Sequence, residues 1–257
     1  MDLQLAGKVI FVAGGSRGVG LGIVEACLKE GATVAFAARG AASLEATRAE
    51  LAARWGAERV WAGAGDLRDG PTIEGLVERV ERELGPLWGA VANVGLDRSP
   101  YGLEIDDATW QAGISQNLDS AYKLSRTVLR AMIPRRAGAL ILISSIASLR
   151  ALGAPLTYGA SKAAMNHLGR ELAVLAGRHD VRVNVLAPGN IMFPGSVWDE
   201  RVNGPNGDAV RSKIEREVPL RRFGTPEDVG AATAFLLSPA ASFITGAVLP
   251  VDGAQTS

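Results

Sequence analysis

The 257-residue chain has one cysteine, Cys27, and two histidines, His167 and His179. A lone cysteine excludes an internal disulfide. Its place in the helical pattern "VEACLKE" reads as a buried structural thiol rather than a nucleophile. Neither histidine has a partner at metal-ligand spacing, so no metal is expected. An excess of charge is also missing: Lys and Arg number 27, Asp and Glu 27, and the net charge is zero. This balance argues against general nucleic-acid binding and against attachment to an anionic membrane. No apolar run approaches the length of a membrane span. The stretch "MDLQLAGKVIFVAGG" passes from an acidic second residue straight into a strand pattern, so no signal peptide is expected, and the cytoplasm is the expected compartment. No repeat, low-complexity tract or linker interrupts the chain.

What is present is an ordinary globular composition, 47% hydrophobic and 21% charged, with enough apolar material for a sizeable core. Seven apolar, β-branched runs alternate with helical patterns. The strands are "KVIFVAG", "ATVAFAA", "RVWAGAG", "LWGAVANVG", "GALILISS", "VRVNVLAPG" and "AVLPVDG". Helices are expected from about Val19 to Glu30, over "AASLEATRAELAARW", over "TIEGLVERVERELG", and from about Asp107 to Met132, the last stopped by Pro134. Two more follow, over "TYGASKAAMNHLGRELAVLAG" and over "TPEDVGAATAFLLS", where Thr225 is the N-cap and Pro226 the first helical residue. Asp106, Asp107 and "ERVERE" read as a helix start and a solvated face, not as a catalytic carboxylate pair.

Continuous apolar strands with short connections predict an α/β fold. It is a single-domain, Rossmann-type doubly wound sheet of about seven parallel strands, with helices on both faces, spanning 1–257. The one long irregular stretch, about 190–222, reads as a substrate lid.

"VAGGSRGVGLG" joins the first strand to the first helix. Gly14, Gly18 and Gly20 make G-x-x-x-G-x-G, which is neither the usual dinucleotide fingerprint G-x-G-x-x-G nor a P-loop. Glycine at such a turn lets backbone N–H groups and a helix N-terminus come up to a pyrophosphate. Tyr158 and Lys162, four apart, share one helix face.

At these positions the sequence resembles the short-chain dehydrogenase/reductase family, and the resemblance runs along nearly the whole chain. The family's T-G-x-x-x-G-x-G turn is "AGGSRGVG", with Ala13 in the Thr place. "GDL" supplies Asp66, "ANVG" supplies Asn93, and "SQNL" supplies Asn117. "ISS" supplies Ser145, "YGASK" supplies Tyr158 and Lys162, and "APGNI", "RFGTPEDVG" and "PVDG" follow in the family's order. Within the family it resembles members like 3-oxoacyl-acyl-carrier-protein reductases. It implies a catalytic set of Asn117, Ser145, Tyr158 and Lys162. The implied nucleotide contacts are Gly14, Ser16, Arg17, Gly18, Val19, Gly20, Asp66, Leu67, Asn93, Gly95, Tyr158, Lys162, Pro188, Gly189 and Ile191.

NAD-binding members carry an acid at the end of the second strand to hold the adenosine ribose. Ala38 stands there, followed by Arg39. With Arg17, Arg39 would hold a 2′-phosphate by charge-assisted hydrogen bonds, which implies NADP(H). A phenol of ordinary pKa near ~10 is a poor base at neutral pH, and the ammonium of Lys162 would favour its phenolate. Ser145 would donate to the substrate oxygen, and Asn117 would hold a water in a proton relay.

On the substrate side, Met192, Phe193, Val197 and Trp198 would line the lid, and Leu96, Ile146 and Leu152 the opposing wall. Phe193 stands where the family has a Thr that helps hold the nicotinamide carboxamide; a backbone group or Asn190 would have to replace that contact. The expected activity interconverts a ketone and a secondary alcohol, with a medium-sized, partly apolar small molecule as substrate. A 3-oxoacyl-acyl-carrier-protein reductase is one option, in which Arg130, Arg135 and Arg136 would meet an acidic carrier protein or simply favour a helix C-terminus. The alternatives are a steroid, sugar or aromatic-ketone reductase, or a non-catalytic NADP-binding sensor. The resemblance also implies a homotetramer.

Overall fold

A computed structural model describes residues 2–95 and 100–257. The strands are β1 (Val9–Ala13), β2 (Thr33–Ala38), β3 (Val60–Ala64), β4 (Leu87–Ala92), β5 (Gly138–Ile143), β6 (Val181–Pro188) and β7 (Val248–Val251). All pair in parallel, in the order β3-β2-β1-β4-β5-β6-β7. The order reverses between β1 and β4, and in such sheets the crevice beyond the strands' carboxyl ends at that point is where ligands bind.

Side chains alternate across the sheet with period two. Val9, Phe11 and Ala13 of β1 join one apolar layer; Ile10 and Val12 join the other. The first layer is covered by α3 (Gly70–Leu84), α5 (Ser120–Met132) and α6 (Leu156–Gly177). The second is covered by α1 (Gly18–Lys29), α2 (Ala41–Trp55) and α9 (Pro226–Leu237). Helices on both faces are what the near-continuous apolar strands require. Cys27 is fully buried in the second layer, and burial pushes its thiol up to about 12.

α1 and α9 pack closely because both offer glycine. A Cβ on Gly22 would lie 2.5 Å from Pro226, and one on Gly230 would lie 2.4 Å from the Gly22 carbonyl oxygen. α9 starts with a capping box in which Thr225 and Asp228 satisfy each other's backbone N–H groups, with Pro226 at the first helical position.

Two expectations need correction. The helix expected over 107–132 is not uniform. α4 (Asp107–Ile114), capped by Asp106, passes into one π-helical turn, Ser115–Asp119, before α5 continues to Met132. Pro134 does end the α-helix, but a 3-10 turn, Ile133–Arg135, runs through it, since proline is tolerated at the start of a new turn. The 190–222 stretch is also not irregular. It carries α7 (Val197–Val202) and α8 (Gly207–Glu217). α7 is held by a Ser196 cap on the Asp199 N–H, and α8 buries only Gly207 and Ile214, so its sequence shows only a narrow apolar face. Among the described residues no helix is long and apolar enough to cross a membrane.

Candidate functional site

The loop after β1 turns back sharply. The Gly14 N–H donates to Ala37 O at 2.8 Å, and the Asn93 amide donates to Gly14 O at 2.9 Å, so the turn is tied to the ends of both flanking strands. A Cβ on Gly20 would stand 1.9 Å from Gly14 O, and a Cβ on Gly14 would stand 2.1 Å from Asn93 O. Both contacts are with backbone, which cannot yield, so only glycine permits the turn. α1 opens at Gly18 with no side chain capping its first N–H groups, and Arg17 lies exposed at the N-cap position. An uncapped helix start beside a glycine cradle is suited to an anionic diphosphate. Thr47 of α2 donates to Ser16 O at 3.3 Å and braces the turn from the other side.

At the ends of β2 and β3, Arg39 is exposed and Leu67 buried. Asp66 lies between two cations. Its carboxylate accepts from Arg68 Nε at 3.0 Å and Nη2 at 2.7 Å, and from the Arg68 backbone N–H at 3.0 Å. These bonds from Arg68, with a smaller pull from Arg39, hold the carboxyl down at about 2. Arg68 was not among the expected site residues. The signal was available, since it follows "GDL" directly, but nothing in a sequence shows that a basic residue two positions on will fold back over the acid.

Beyond β4 and β5 the remaining expected residues converge. The Lys162 ammonium group is buried and donates to Ile143 O at 2.8 Å and to Val94 O at 3.5 Å. It lies 5.7 Å from the centre of the Tyr158 ring. No carboxylate among the described residues pairs with it, and burial lowers its pKa from 10.5 to about 7. Asn117 sits in the π-helical turn, fully buried. Its amide donates to Gly113 O at 3.0 Å, while its Oδ1 has no partner. A π turn rotates the residues that follow it and leaves carbonyls free of the regular ladder; such turns recur at functional sites. Gly95 admits the Asn117 amide, because a Cβ there would come within 2.3 Å of Oδ1.

Ser145 follows β5 in extended conformation, and its hydroxyl accepts from the Ala147 N–H at 3.2 Å. A buried network lies beneath it. Asn166 of α6 donates to Ser148 Oγ at 2.8 Å, Ser148 donates to Ser145 O, and Ser144 donates to Lys162 O at 3.0 Å. These bonds tie the turn bearing Ser145 to the helix bearing Tyr158 and Lys162.

Of the residues expected to meet substrate, Leu96 lies outside the described residues. Ile146 is buried, whereas Leu152 is 42% exposed on the turn before α6. Met192, Phe193 and Trp198 are half-buried, and Trp198 packs on Phe223 with ring centres 5.6 Å apart. Arg201 lies over the Trp198 ring and donates to the Tyr101 hydroxyl at 3.1 Å, a pair the sequence reading did not single out. Pro188 ends β6, the Gly189 N–H donates to Val251 O at 3.0 Å, and Ile191 is buried. The Asn190 amide is turned to Gln255 Oε1 at 2.8 Å. His167 is exposed, 3.5 Å from Glu171. Arg135 bonds Leu87 O at the start of β4 and pairs with Glu81, and Arg136 pairs with Asp180. These two arginines are at the opposite end of the sheet from the site.

The glycine cradle follows β1, Arg39 follows β2, and the buried Lys162 amine bonds the chain beyond β4 and at the end of β5, so all stand at the carboxyl ends of the strands. Apart from the Phe193 ring, which lies against Gly18, the residues present fit a dinucleotide. The turn is built so that no Cβ intrudes, and the buried Asn117 Oδ1 and Lys162 amine lie beyond β4 and β5, beside Gly95 and Val94. A family model described as enoyl-(acyl carrier protein) reductase matches residues 13–256. The chain is 34% identical over 256 residues to an acetoacetyl-CoA reductase of Synechocystis, covering 99% of each chain. It is 32% identical over 253 residues to a 3-oxoacyl-acyl-carrier-protein reductase of Chlamydia muridarum, covering 98% of this chain and 99% of that one. Among solved structures, L-sorbose reductase of Gluconobacter frateurii, complexed with NADPH and L-sorbose, superposes with a TM-score of 0.91 at 30% identity, covering 98% of each chain.

Proposed function

The chain belongs to the short-chain dehydrogenase/reductase family of oxidoreductases, and on that footing we propose that it is an NADP(H)-dependent enzyme interconverting a ketone and a secondary alcohol. The observation that carries this reading is the Lys162 amine, buried without a carboxylate partner among the described residues and 5.7 Å from the Tyr158 ring. A buried amine is costly to maintain and marks a functional site more often than a structural one.

A nicotinamide dinucleotide held in the crevice supplies the hydride in reduction and takes it up in oxidation. Gly14, Ser16, Gly18, Val19 and Gly20 hold its diphosphate with backbone N–H groups at the start of α1. Arg17 and Arg39 hold a 2′-phosphate, and Asp66 and Leu67 border the adenine. Asn93 and Gly95 shape the middle of the crevice; Pro188, Gly189 and Ile191 shape its nicotinamide end. Lys162 holds the nicotinamide ribose, and in its protonated form it favours loss of the Tyr158 proton. In reduction the Tyr158 hydroxyl gives its proton to the substrate oxygen; in oxidation the phenolate takes it back. Ser145 donates a hydrogen bond to the same oxygen as charge develops on it. Asn117 Oδ1 accepts from a water that returns protons to Lys162.

The whole chain is read as one domain, with 190–222 as the substrate lid. The aromatic pair Trp198 and Phe223, with Met192, suits a medium-sized, partly apolar carbonyl compound. Exposed apolar residues on the long helices, Tyr122, Val174 and Leu175, support assembly into a homotetramer through α5 and α6. The test of function is a screen of ketones with NADPH, and of alcohols with NADP, followed at the NADPH absorbance band. Turnover of a ketone class supports the reading. Tight nucleotide binding without turnover of any member would favour a sensor.

A further inference from the structure

Phe193 is seated on the phosphate turn. A Cβ built on Gly18 would lie 2.4, 2.5 and 2.9 Å from the Cζ, Cε2 and Cε1 atoms of the Phe193 ring, its three nearest neighbours. The far edge of the ring therefore rests directly on the Gly18 Cα. Gly18 has φ +54° and is the first residue of α1. Gly18 opens the helix whose uncapped N–H groups are the proposed seat of the diphosphate, where a bare glycine leaves the backbone open to an anion. Ring and pyrophosphate lay claim to the same space.

The ring is held there by ordered backbone. Before it, the Met192 N–H donates to Gly224 O at 2.8 Å, the Gly224 N–H donates to Asn190 O at 3.0 Å, and Ile191 pairs with Gly224 in a parallel bridge. After it, the Ser196 N–H donates to Phe193 O at 3.0 Å, and Ser196 Oγ accepts from the Asp199 N–H at 3.0 Å. The turn includes Gly195 at φ +73°, exposed and with no atom within 4 Å of where a Cβ would be. Phe193 is half-buried and packs with the apolar layer that includes Val19 and Ile191. An apolar ring has a reason to stay on a bare glycine that a small polar side chain lacks.

We propose that Phe193 is the residue through which the 189–225 segment controls nucleotide entry: its ring covers Gly18 and excludes the diphosphate, so the segment has to lift before a dinucleotide binds. This rests on the assignment of a nicotinamide dinucleotide to the glycine turn. The consequence is thermodynamic. Where only a fraction of molecules is open, the apparent dissociation constant is the intrinsic one divided by that fraction. A plug closed in about nine of ten molecules weakens binding about tenfold.

The experiment titrates NADPH into the wild type, Phe193→Ala, Phe193→Thr and Phe193→Leu, followed by the nucleotide's own fluorescence and by calorimetry. Far-ultraviolet circular dichroism and a melting curve check that each variant is folded. Phe193→Ala and Phe193→Thr are expected to bind about tenfold more tightly. Phe193→Leu keeps an apolar side chain on Gly18 and stays closer to wild type. In stopped-flow mixing the wild-type association rate should level off at high NADPH, limited by opening, while the Ala variant's keeps rising. Binding by Phe193→Ala, with none by wild type, would also support the plug, whereas a gain by Phe193→Thr without one by Phe193→Ala would be a new contact of the Thr and would overturn it. Equal or weaker binding by folded Ala and Thr variants overturns it, because the ring would then be neutral or a partner of the nucleotide. If neither wild type nor any variant binds a nicotinamide dinucleotide, the proposed function itself fails, and the plug with it.

Discussion

Lys162→Met changes the pH dependence of stability in a direction and by an amount that follow from burial. The wild-type amine has its pKa lowered from 10.5 to about 7 in the folded, nucleotide-free protein, because the group is desolvated. The folded state therefore gives up this proton near pH 7, while the unfolded chain keeps it until about 10.5. Between those limits the unfolded chain binds more protons, so stability rises with pH, at about 1.4 kcal/mol per pH unit for one group. Below pH 7 both states are protonated and the contribution stops changing. Cys27 acts oppositely above its ordinary pKa of 9.0, because the folded state holds its thiol protonated up to about 12. That contribution is common to wild type and variant and cancels in their difference. The assay is urea unfolding without nucleotide, at fixed protein concentration, from about pH 7.5 to about pH 9. Wild-type stability minus that of Lys162→Met should increase by about 2 kcal/mol over this range. A difference flat to within about 0.5 kcal/mol would mean that the amine is hydrated and carries its charge in the fold, and the desolvation argument would be wrong.

Tyr158→Phe keeps the ring and removes the proton donor; turnover of a confirmed ketone should fall by ~10²–10⁴-fold with NADPH affinity retained, and near-normal turnover would refute the acid/base assignment. The wild type should bind NADPH more tightly than NADH. Arg39→Ala should narrow that preference by about tenfold, the worth of one charged hydrogen bond, in parallel titrations of both nucleotides. An exposed helical Gly→Ala normally stabilises by about 1 kcal/mol. Gly20→Ala should instead lower the melting temperature and abolish nucleotide binding, since its Cβ would stand 1.9 Å from Gly14 O. Light scattering at micromolar concentration should give four times the chain mass, and a monomer would rule out pairing through α5 and α6.

The sequence by itself determined the order of the seven strands and of the helices that flank the sheet, and the class of the fold. Runs such as "VIFVA" and "ALILI" are apolar on both faces, and only a sheet covered on both sides can bury them. It also determined which residues stand at the carboxyl ends of the strands, because Asn93 and Ser145 follow β4 and β5 by one and two positions. The capping box of α9 was legible as well, since a cap is a contact between residues three apart.

What only the tertiary structure decided is every contact set by how distant segments approach. The π turn at Ser115–Asp119 leaves no periodic signature in five residues, yet it places the buried Asn117. α8 carries only a narrow apolar face, because Gly207 and Ile214 are its only buried residues and Val210 is half-buried beside them. The desolvation of Lys162 comes from β4, β5 and α6 closing together around it. The seat of the Phe193 ring on Gly18 joins residues 175 positions apart in the sequence. Local pattern dictates elements because their hydrogen bonds and caps are short-range, whereas burial and steric exclusion in the crevice depend on packing between elements, which no short window of sequence contains.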